Sequence, residues 1–120
     1  MKLVISIQGT DLNAAIDPRF GRARFFRIVD TETGQQTALD NTSAADAAQG
    51  AGIQTVQTLA RLGVQAVLTG HVGPKSLTAL QAAKIQVYPV SGVSAEQAVQ
   101  FLLDGHLKPL SQADAEGHWR

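Results

Sequence analysis

Apolar positions recur along this chain in two rhythms. Lys2-Leu3-Val4-Ile5-Ser6-Ile7 is a short β-branched run, which predicts a strand buried on both faces. Phe25-Phe26-Arg27-Ile28-Val29 predicts a second strand, Asp30-Thr31-Glu32-Thr33-Gly34 a hairpin turn, and Gln35–Leu39 a short return strand at a sheet edge. From Gly52 the spacing lengthens. Ile53, Val56, Leu59, Ala60 and Leu62 fall on one helical face, and Gly63 stands where a helix would end. Val64–Thr69 then reads as a strand, Pro74 opens a helix with Leu77, Leu80 and Ala83 inward, and Ile85-Gln86-Val87-Tyr88 is another short strand. Ser94 with Gln97 three residues on predicts a capping box, and its helix carries Val99, Leu102 and Leu103 before Gly105 closes it. Gln8–Asn13 and Asp17–Arg22 read as loops, the second broken by Asp-Pro and a glycine. Asn41–Gln49 is polar and Ala-rich, and fits a loop and an early helical turn equally well. Periodicity is lost from Pro109 to Arg120, so a domain at 1–108 with a mobile tail at 109–120 is expected.

The predicted order is strand, hairpin, helix, strand, helix, strand, helix. Alternating strands and helices in the back half argue for parallel pairing with right-handed crossovers, and the helix-free front half for antiparallel pairing. The expected architecture is a single α/β domain, with a five-stranded mixed sheet and helices on both faces. Ligands of such sheets sit outside the carboxyl ends of the strands, near the switch point. That edge gathers the 8–13 loop, with Gly9, Thr10 and Leu12, and the turn at 69–74.

Composition narrows the chemistry. The chain has 120 residues, 44% apolar and 17% charged, with ten basic and ten acidic side chains for a formal net charge of zero. That balance argues against broad binding to nucleic acid or to a membrane surface. No apolar run reaches the length of a membrane span, and the first strand is too short for a signal peptide, so a cytoplasmic protein is expected. There is no cysteine, which removes disulfides, thiolate-held iron–sulfur clusters, Cys-type zinc sites and Cys nucleophiles. Any bound metal must therefore use His, carboxylate, backbone groups or Met1, or bring its own ligands.

The turn Thr69-Gly70-His71-Val72-Gly73-Pro74 is the best candidate for chemistry. Gly70 and Gly73 let backbone approach a bound group, Pro74 suits the first helical position, and a helix N-terminus favours anions. His71 is a hydrogen-bond donor or a metal ligand in such a turn. The turn alone is equally an ordinary βα connection that needs two glycines for its geometry.

Separated motifs agree on a resemblance. Asp17-Pro18-Arg19-Phe20-Gly21-Arg22, Phe26, Val29-Asp30, Asn41, Gly50-Ala51-Gly52, Thr69–Pro74 and Val87-Tyr88 match, in order, the pattern of the dinitrogenase iron–molybdenum cofactor biosynthesis family. Within it the chain is most similar to the orange proteins, small relatives of the NifX and NafY carriers and of the C-terminal part of NifB. The resemblance covers about the first 108 residues and implies a ribonuclease-H-like fold. It also implies a non-catalytic carrier or scaffold for a preformed, anionic molybdenum–copper sulfide cluster, or a related molybdenum or iron–sulfur precursor, held non-covalently. P-loop ATPases of the cell-division type are the implied protein partners.

A thiomolybdate-type cluster brings its own sulfides, so the absence of cysteine agrees with that role. Such a cluster needs positive potential and apolar walls. Arg19, Arg22 and Lys75 offer charge, the helix starts at Gly50–Gly52 and Gly73–Pro74 offer N–H groups, His71 offers a directed contact, and Leu12, Phe20 and Val72 offer walls. Each has a plainer reading. Arg19 and Arg22 pair with Asp17 or are solvated, Phe20 belongs to the core, and Gly50 and Gly52 serve close helix packing. His106 and His118 lie outside the pattern. Two-metal nuclease chemistry, which a ribonuclease-H-like fold invites, needs clustered carboxylates, and the first strand carries none. No Ser-His-Asp spacing, nucleophile elbow or Walker-type loop is present. A domain binding a phosphate-bearing metabolite at the same helix starts is the alternative of a different class.

Overall fold

A computed structural model of the chain describes residues 1–11, 13–42 and 51–110. Five strands, β1 (Lys2–Ile7), β2 (Phe25–Asp30), β3 (Gln36–Asp40), β4 (Ala66–Thr69) and β5 (Gln86–Pro89), pair in the order β3-β2-β1-β4-β5. β1 runs antiparallel to β2, with Lys2 opposite Asp30 and Ile7 opposite Phe25, and parallel to β4, with Leu3 opposite Ala66. β2 and β3 are antiparallel, β4 and β5 parallel. This is the mixed, ribonuclease-H-like sheet expected, with β1 as its central strand.

Alternation along β1 explains why helices cover both faces. Val4 points to one side, where Phe26, Val67 and Val87 meet Val56 and Leu59 of α1 (Ala51–Arg61) and Leu77 and Leu80 of α2 (Pro74–Ala82). Leu3, Ile5 and Ile7 point to the other, where Val29, Ala66 and Leu68 meet Ala95 and Ala98 of α3 (Ala95–Leu103). The capping box at α3 is present: Gln97 N donates to Ser94 Oγ and Ser94 N to Gln97 Oε1, each at 3.2 Å. Gly63 and Gly105 follow α1 and α3 in the left-handed region, at φ 77° and 78°, where a side chain would be strained.

Some inward faces differ from the apolar pattern. On α1 the buried residues are Thr55, Val56 and Leu59, while Ile53 and Leu62 are each 39% exposed and Ala60 faces solvent. A polar residue stands on the buried stripe because the Thr55 hydroxyl donates to Asn41 Oδ1 at 3.1 Å. On α3 small Ala95 and Ala98 pack closely on the sheet, and Leu103 is left 56% exposed. The fourth strand is shorter than the predicted Val64–Thr69, although Val64 is still buried. Of the ambiguous 41–49 stretch, residues 43–49 lie outside the described residues, as does 111–120 of the expected tail. Leu107 packs on the α3 side and Leu110 on the opposite side, where Leu110 N donates to Val87 O at 2.7 Å. The chain therefore wraps the outer edge of β5 before residue 111.

The least expected feature is a strap across the carboxyl ends of β1 and β4. Residues 14–20, read partly as loop, are tied down along their length. Gln8 N donates to Ala15 O at 3.0 Å, Asp17 N to Ser6 O at 2.8 Å, His71 N to Pro18 O at 2.7 Å and Phe20 N to His71 O at 3.2 Å. On the α1–α2 side the buried Ser6 hydroxyl donates to Asp17 O and lies the same 2.7 Å from Thr69 Oγ1. At the far end Ile16 N and Ala95 N bond to Val93 O and Ala14 O at 3.2 and 3.1 Å.

Gly70 is what lets the strap sit so close. A Cβ at this position would lie 2.7 Å from Pro18 Cα and 2.8 Å from Pro18 O, and backbone cannot swing aside as a side-chain tip can. Gly70→Ala should therefore destabilise by about 1–3 kcal/mol, as overpacking does, lowering the thermal midpoint by roughly 4 °C for each kcal/mol. Gly9→Ala is the matched control, since its Cβ would meet only Ala14 Cβ at 3.7 Å. Thermal unfolding of both variants checks this; equal midpoints would show that the strap yields freely.

Candidate anion site at the carboxyl edge of the sheet

α1, α2 and α3 follow β3, β4 and β5, and all three begin at the edge where β1 ends. The strap brings its own side chains to this edge. Within it a single 3-10 turn, Phe20–Arg22, sends alternate side chains in opposite directions: Phe20 inward, Arg22 outward.

The inward group corrects three expectations. Phe20 is 1% exposed and packs in the core, its ring 5.7 Å from that of Phe26 at 59°. Val72, also 1% exposed, joins the same cluster. Both are core, not ligand walls, because the strap presses them beneath the sheet edge. Thr69 is fully buried, its hydroxyl 2.7 Å from Ser6 Oγ, so it ties strands together and does not face a ligand. Gly52 likewise serves packing. A Cβ there would lie 1.9 Å from Ser76 Oγ and 3.2 Å from Ser76 Cβ, so the glycine allows α1 to approach α2. Gly70 is filled on one side by Pro18. Gly50 and Leu12 lie outside the described residues.

The outward group converges. Ile7, Gln8, Asp17, Pro18, Arg19, Arg22 and Arg24 enclose a cleft of about 330 Å³ beyond the end of β1. The side chain of Arg19 is 68% exposed; its Nε lies 3.9 Å from Asp17 Oδ1, too long for a strong pair in water. Asp17 Oδ1 instead accepts the Arg19 backbone N–H at 3.0 Å, shaping the strap. Arg19 stands opposite His71 in the short parallel bridge between strap and turn. His71 is exposed, Gly73 caps α2 with nothing within 4 Å of its would-be Cβ, and Lys75 is exposed in the first turn. Gly9 and Thr10 lie on the loop after β1, where Thr10 O accepts from Arg27 Nη2. Arg19, Arg22, His71, Gly73 and Lys75 thus occupy one edge as foreseen, with Gly9 and Thr10 on the adjoining loop.

Sequence reasoning missed Arg24. The signal was Arg19, Arg22 and Arg24 within six residues. Asp40 lies at this edge too; the Thr42 hydroxyl and N–H, and then the Arg24 charge, hold its carboxyl below the usual range. Among the described residues no three His, Asp or Glu side chains gather as a metal cage. On the α3 side a separate groove of about 500 Å³ runs between Gly70, Pro89, Phe101 and His106, whose ring stacks on Phe101 at 6.4 Å.

Known proteins share both sequence and architecture. Residues 1–105 match the family described as dinitrogenase iron–molybdenum cofactor. The apo form of the orange protein from Desulfovibrio gigas is 39% identical, covers 94% of this chain and 95% of its own, and superposes with a TM-score of 0.92. A candidate NifB protein from Thermotoga, of the DUF35 family, is 33% identical over 97% of this chain and 98% of its own, with a TM-score of 0.85. An uncharacterized protein of Methanocaldococcus jannaschii is 29% identical over 111 residues, 90% of each chain.

The core placement of Phe20 is directly testable. Phe20→Ala should cost about 3–5 kcal/mol of unfolding free energy in ligand-free protein, read from denaturant midpoints. Unchanged stability would return Phe20 to the ligand side.

Proposed function

The chain belongs to the dinitrogenase iron–molybdenum cofactor family, and we propose that it is a non-catalytic carrier that holds a preformed anionic molybdenum-containing metal–sulfur cluster, of the molybdenum–copper sulfide type, without covalent bonds. The observation that carries this reading is the cleft walled by Arg19, Arg22 and Arg24 beside the exposed His71 turn. A bulky sulfide cluster spreads its negative charge over soft, weakly hydrated atoms. Guanidinium groups match it because they are weakly hydrated and present several donors. The start of α2 adds oriented N–H groups at Gly73–Pro74 and the ammonium of Lys75. With no cysteine in the chain, the sulfides belong to the cargo. That suits a carrier, since no metal–thiolate bond has to break at delivery.

Each part has a role. Arg19 and Arg22 attract and hold the anion, Asp17 fixes the turn that aims them, and His71 is placed to donate to a cluster sulfide or to ligate an exposed metal through its neutral ring. The exposed edge leaves one side of the cargo open, as transfer to an acceptor requires.

Ligand-free protein mixed with tetrathiomolybdate and copper should give a visible chromophore that co-elutes with it. Colour confined to small-molecule fractions would remove the carrier reading, and the protein fraction of a phosphate-binding domain would stay colourless. Arg19→Ala combined with Arg22→Ala should weaken retention about tenfold or more, since two partly exposed charged contacts of about 1 kcal/mol each exceed the 1.4 kcal/mol of one decade. Added salt should weaken the wild-type complex more than the double variant, because such contacts are screened over about 10 Å at 0.1 M. His71→Ala should shift the visible spectrum while leaving the fold intact; an unchanged spectrum and affinity would place His71 outside the contact shell.

A further inference from the structure

We propose that β3 is an interface strand: two copies of this chain pair edge to edge through Gln36–Asp40, antiparallel about a two-fold axis at Ala38, and join their sheets into one. The pairing does not depend on the cargo.

The two outer strands of the sheet end differently. β5 is closed off. The Gln86 and Val90 N–H groups turn inward, to Gln65 O at 3.0 Å and Thr69 O at 2.9 Å. Of the outward positions, Val87 O accepts Leu110 N at 2.7 Å, and Pro89 has no N–H to offer. β3 has neither device. Asn41 N donates to Arg24 O at 2.7 Å and Asp30 N to Gln35 O at 2.9 Å. With the β2–β3 register, the odd-numbered residues of β3 therefore face β2. The backbone N–H and C=O groups of Gln36, Ala38 and Asp40 point away from the sheet, and among the described residues no strand pairs with them. Gln36, Thr37, Ala38 and Asp40 are all exposed, and the strand holds no Pro or Lys, the residues that commonly block an edge. An open edge of this kind is completed by another extended segment.

Self-complementarity names the occupant. Only the register with Ala38 opposite the partner's Ala38 pairs all three outward residues of each copy. That register sets Gln36 opposite the partner's Asp40, on the same face of the joined sheet, and the two-fold axis repeats the pair. The Gln36 amide is a donor and the Asp40 carboxylate an acceptor, so the cross-strand pair is favourable and no like charges meet. On the α1 side Thr37 stands opposite the partner's Leu39. Thr37 lines a cleft of about 220 Å³ with Ile28 and Leu62, and Leu62 is 39% exposed. The partner's Leu39 thus meets apolar surface that one copy leaves open. Slipping the register unpairs outward residues and, at the carboxyl end, sets Asp40 against Asp40. A peptide of arbitrary sequence would satisfy the backbone, but the side-chain match belongs to a second copy. The contact is one short strand, smaller than a permanent dimer needs, so the dimer is reversible and concentration-dependent.

The test is sedimentation of the intact, ligand-free protein from micromolar to millimolar concentration, with amide exchange in β3 followed by NMR. A dimer should form as concentration rises. The amides of Gln36, Ala38 and Asp40 should then gain protection, while those of Thr37 and Leu39, already bonded to β2, should change little. Ala38→Pro removes an outward N–H at an edge position that tolerates proline; it should fold and stay monomeric. Gln36→Asp sets like charges opposite each other twice and should weaken the dimer about tenfold. Gln36→Lys should tighten it by a similar factor, and salt should shrink both effects. Gln86→Asp, the same change on the closed β5 edge, should alter nothing. A protein that stays monomeric at millimolar concentration would overturn the proposal and leave the edge to an extended segment of a different protein. A dimer indifferent to the Ala38 and Gln36 substitutions would overturn it too, since another face would form it. If Ala38→Pro fails to fold, the opposed effects of the two Gln36 variants decide.

Discussion

The seam between Asp17–Phe20 and the Gly70–Val72 turn is the contact on which the rest of the molecule depends. It is short, two backbone hydrogen bonds through His71 and a buried hydroxyl pair of Ser6 and Thr69 beneath. Yet it joins β1, β4 and the strap at the one edge where the sheet changes from antiparallel to parallel pairing. Because Gly70 carries no Cβ, the strap descends far enough for Phe20 and Val72 to enter the core. The same descent leaves Arg19 and Arg22 on the outer side of the 3-10 turn. Core packing and the charged edge are thus set by a single geometric event, and a change that lifts the strap would disturb both.

This coupling explains what was legible in the sequence. Strands and helices follow from local periodicity, and the capping box of Ser94 and Gln97 is a three-residue signal, so these elements could be read directly. The mixed pairing of the sheet, though not its strand order, followed from the alternation of strand and helix in the back half. The switch-point rule put the 8–13 loop and the 69–74 turn on one edge, and Arg19, Arg22, His71 and Lys75 lie at that edge. What local pattern could not show was direction. Phe20, Val72 and Thr69 sit within the expected site in sequence but point inward, because the contacts that turn them come from far along the chain: Thr69 Oγ1 meets Ser6 Oγ across 63 residues and Asp17 O across 52. Thr55 looked like a polar interruption of α1, yet it is fully buried, since its partner Asn41 lies 14 residues earlier. Arg24 went unremarked for the same reason: its support comes from β3 and α1, not from its neighbours.

The glycines divide along the same line. Gly70 was expected to let backbone approach a ligand and Gly52 to mark a helix start or serve packing, and each opens room for protein, Pro18 in one case and Ser76 in the other. Gly73 alone of these faces open space beside the helix start. A glycine-rich turn is therefore not one signal. Whether it admits backbone or ligand depends on which elements the fold lays against it, and that is a property of the tertiary structure.

A chain with equal numbers of acids and bases must separate its charges if it is to hold an anion. The front half does so with its turns. Asp11, Asp17, Asp30 and Asp40 each accept the backbone N–H of the residue two positions on, at 3.2, 3.0, 2.9 and 2.8 Å. Such turns are a local preference of Asp, so the carboxylates engage their own backbone before any long-range partner is available. The Glu32 N–H is the main reason that the Asp30 carboxyl is held below its ordinary range. The long stem of arginine carries its charge away from the backbone. At the carboxyl edge the outcome is asymmetric. Of these four aspartates only Asp17 lines the cleft, with Oδ1 accepting the strap's own N–H, while three arginines line it. Local turn chemistry thereby gathers basic side chains at one edge of a neutral protein, which is the edge that the proposed carrier role uses.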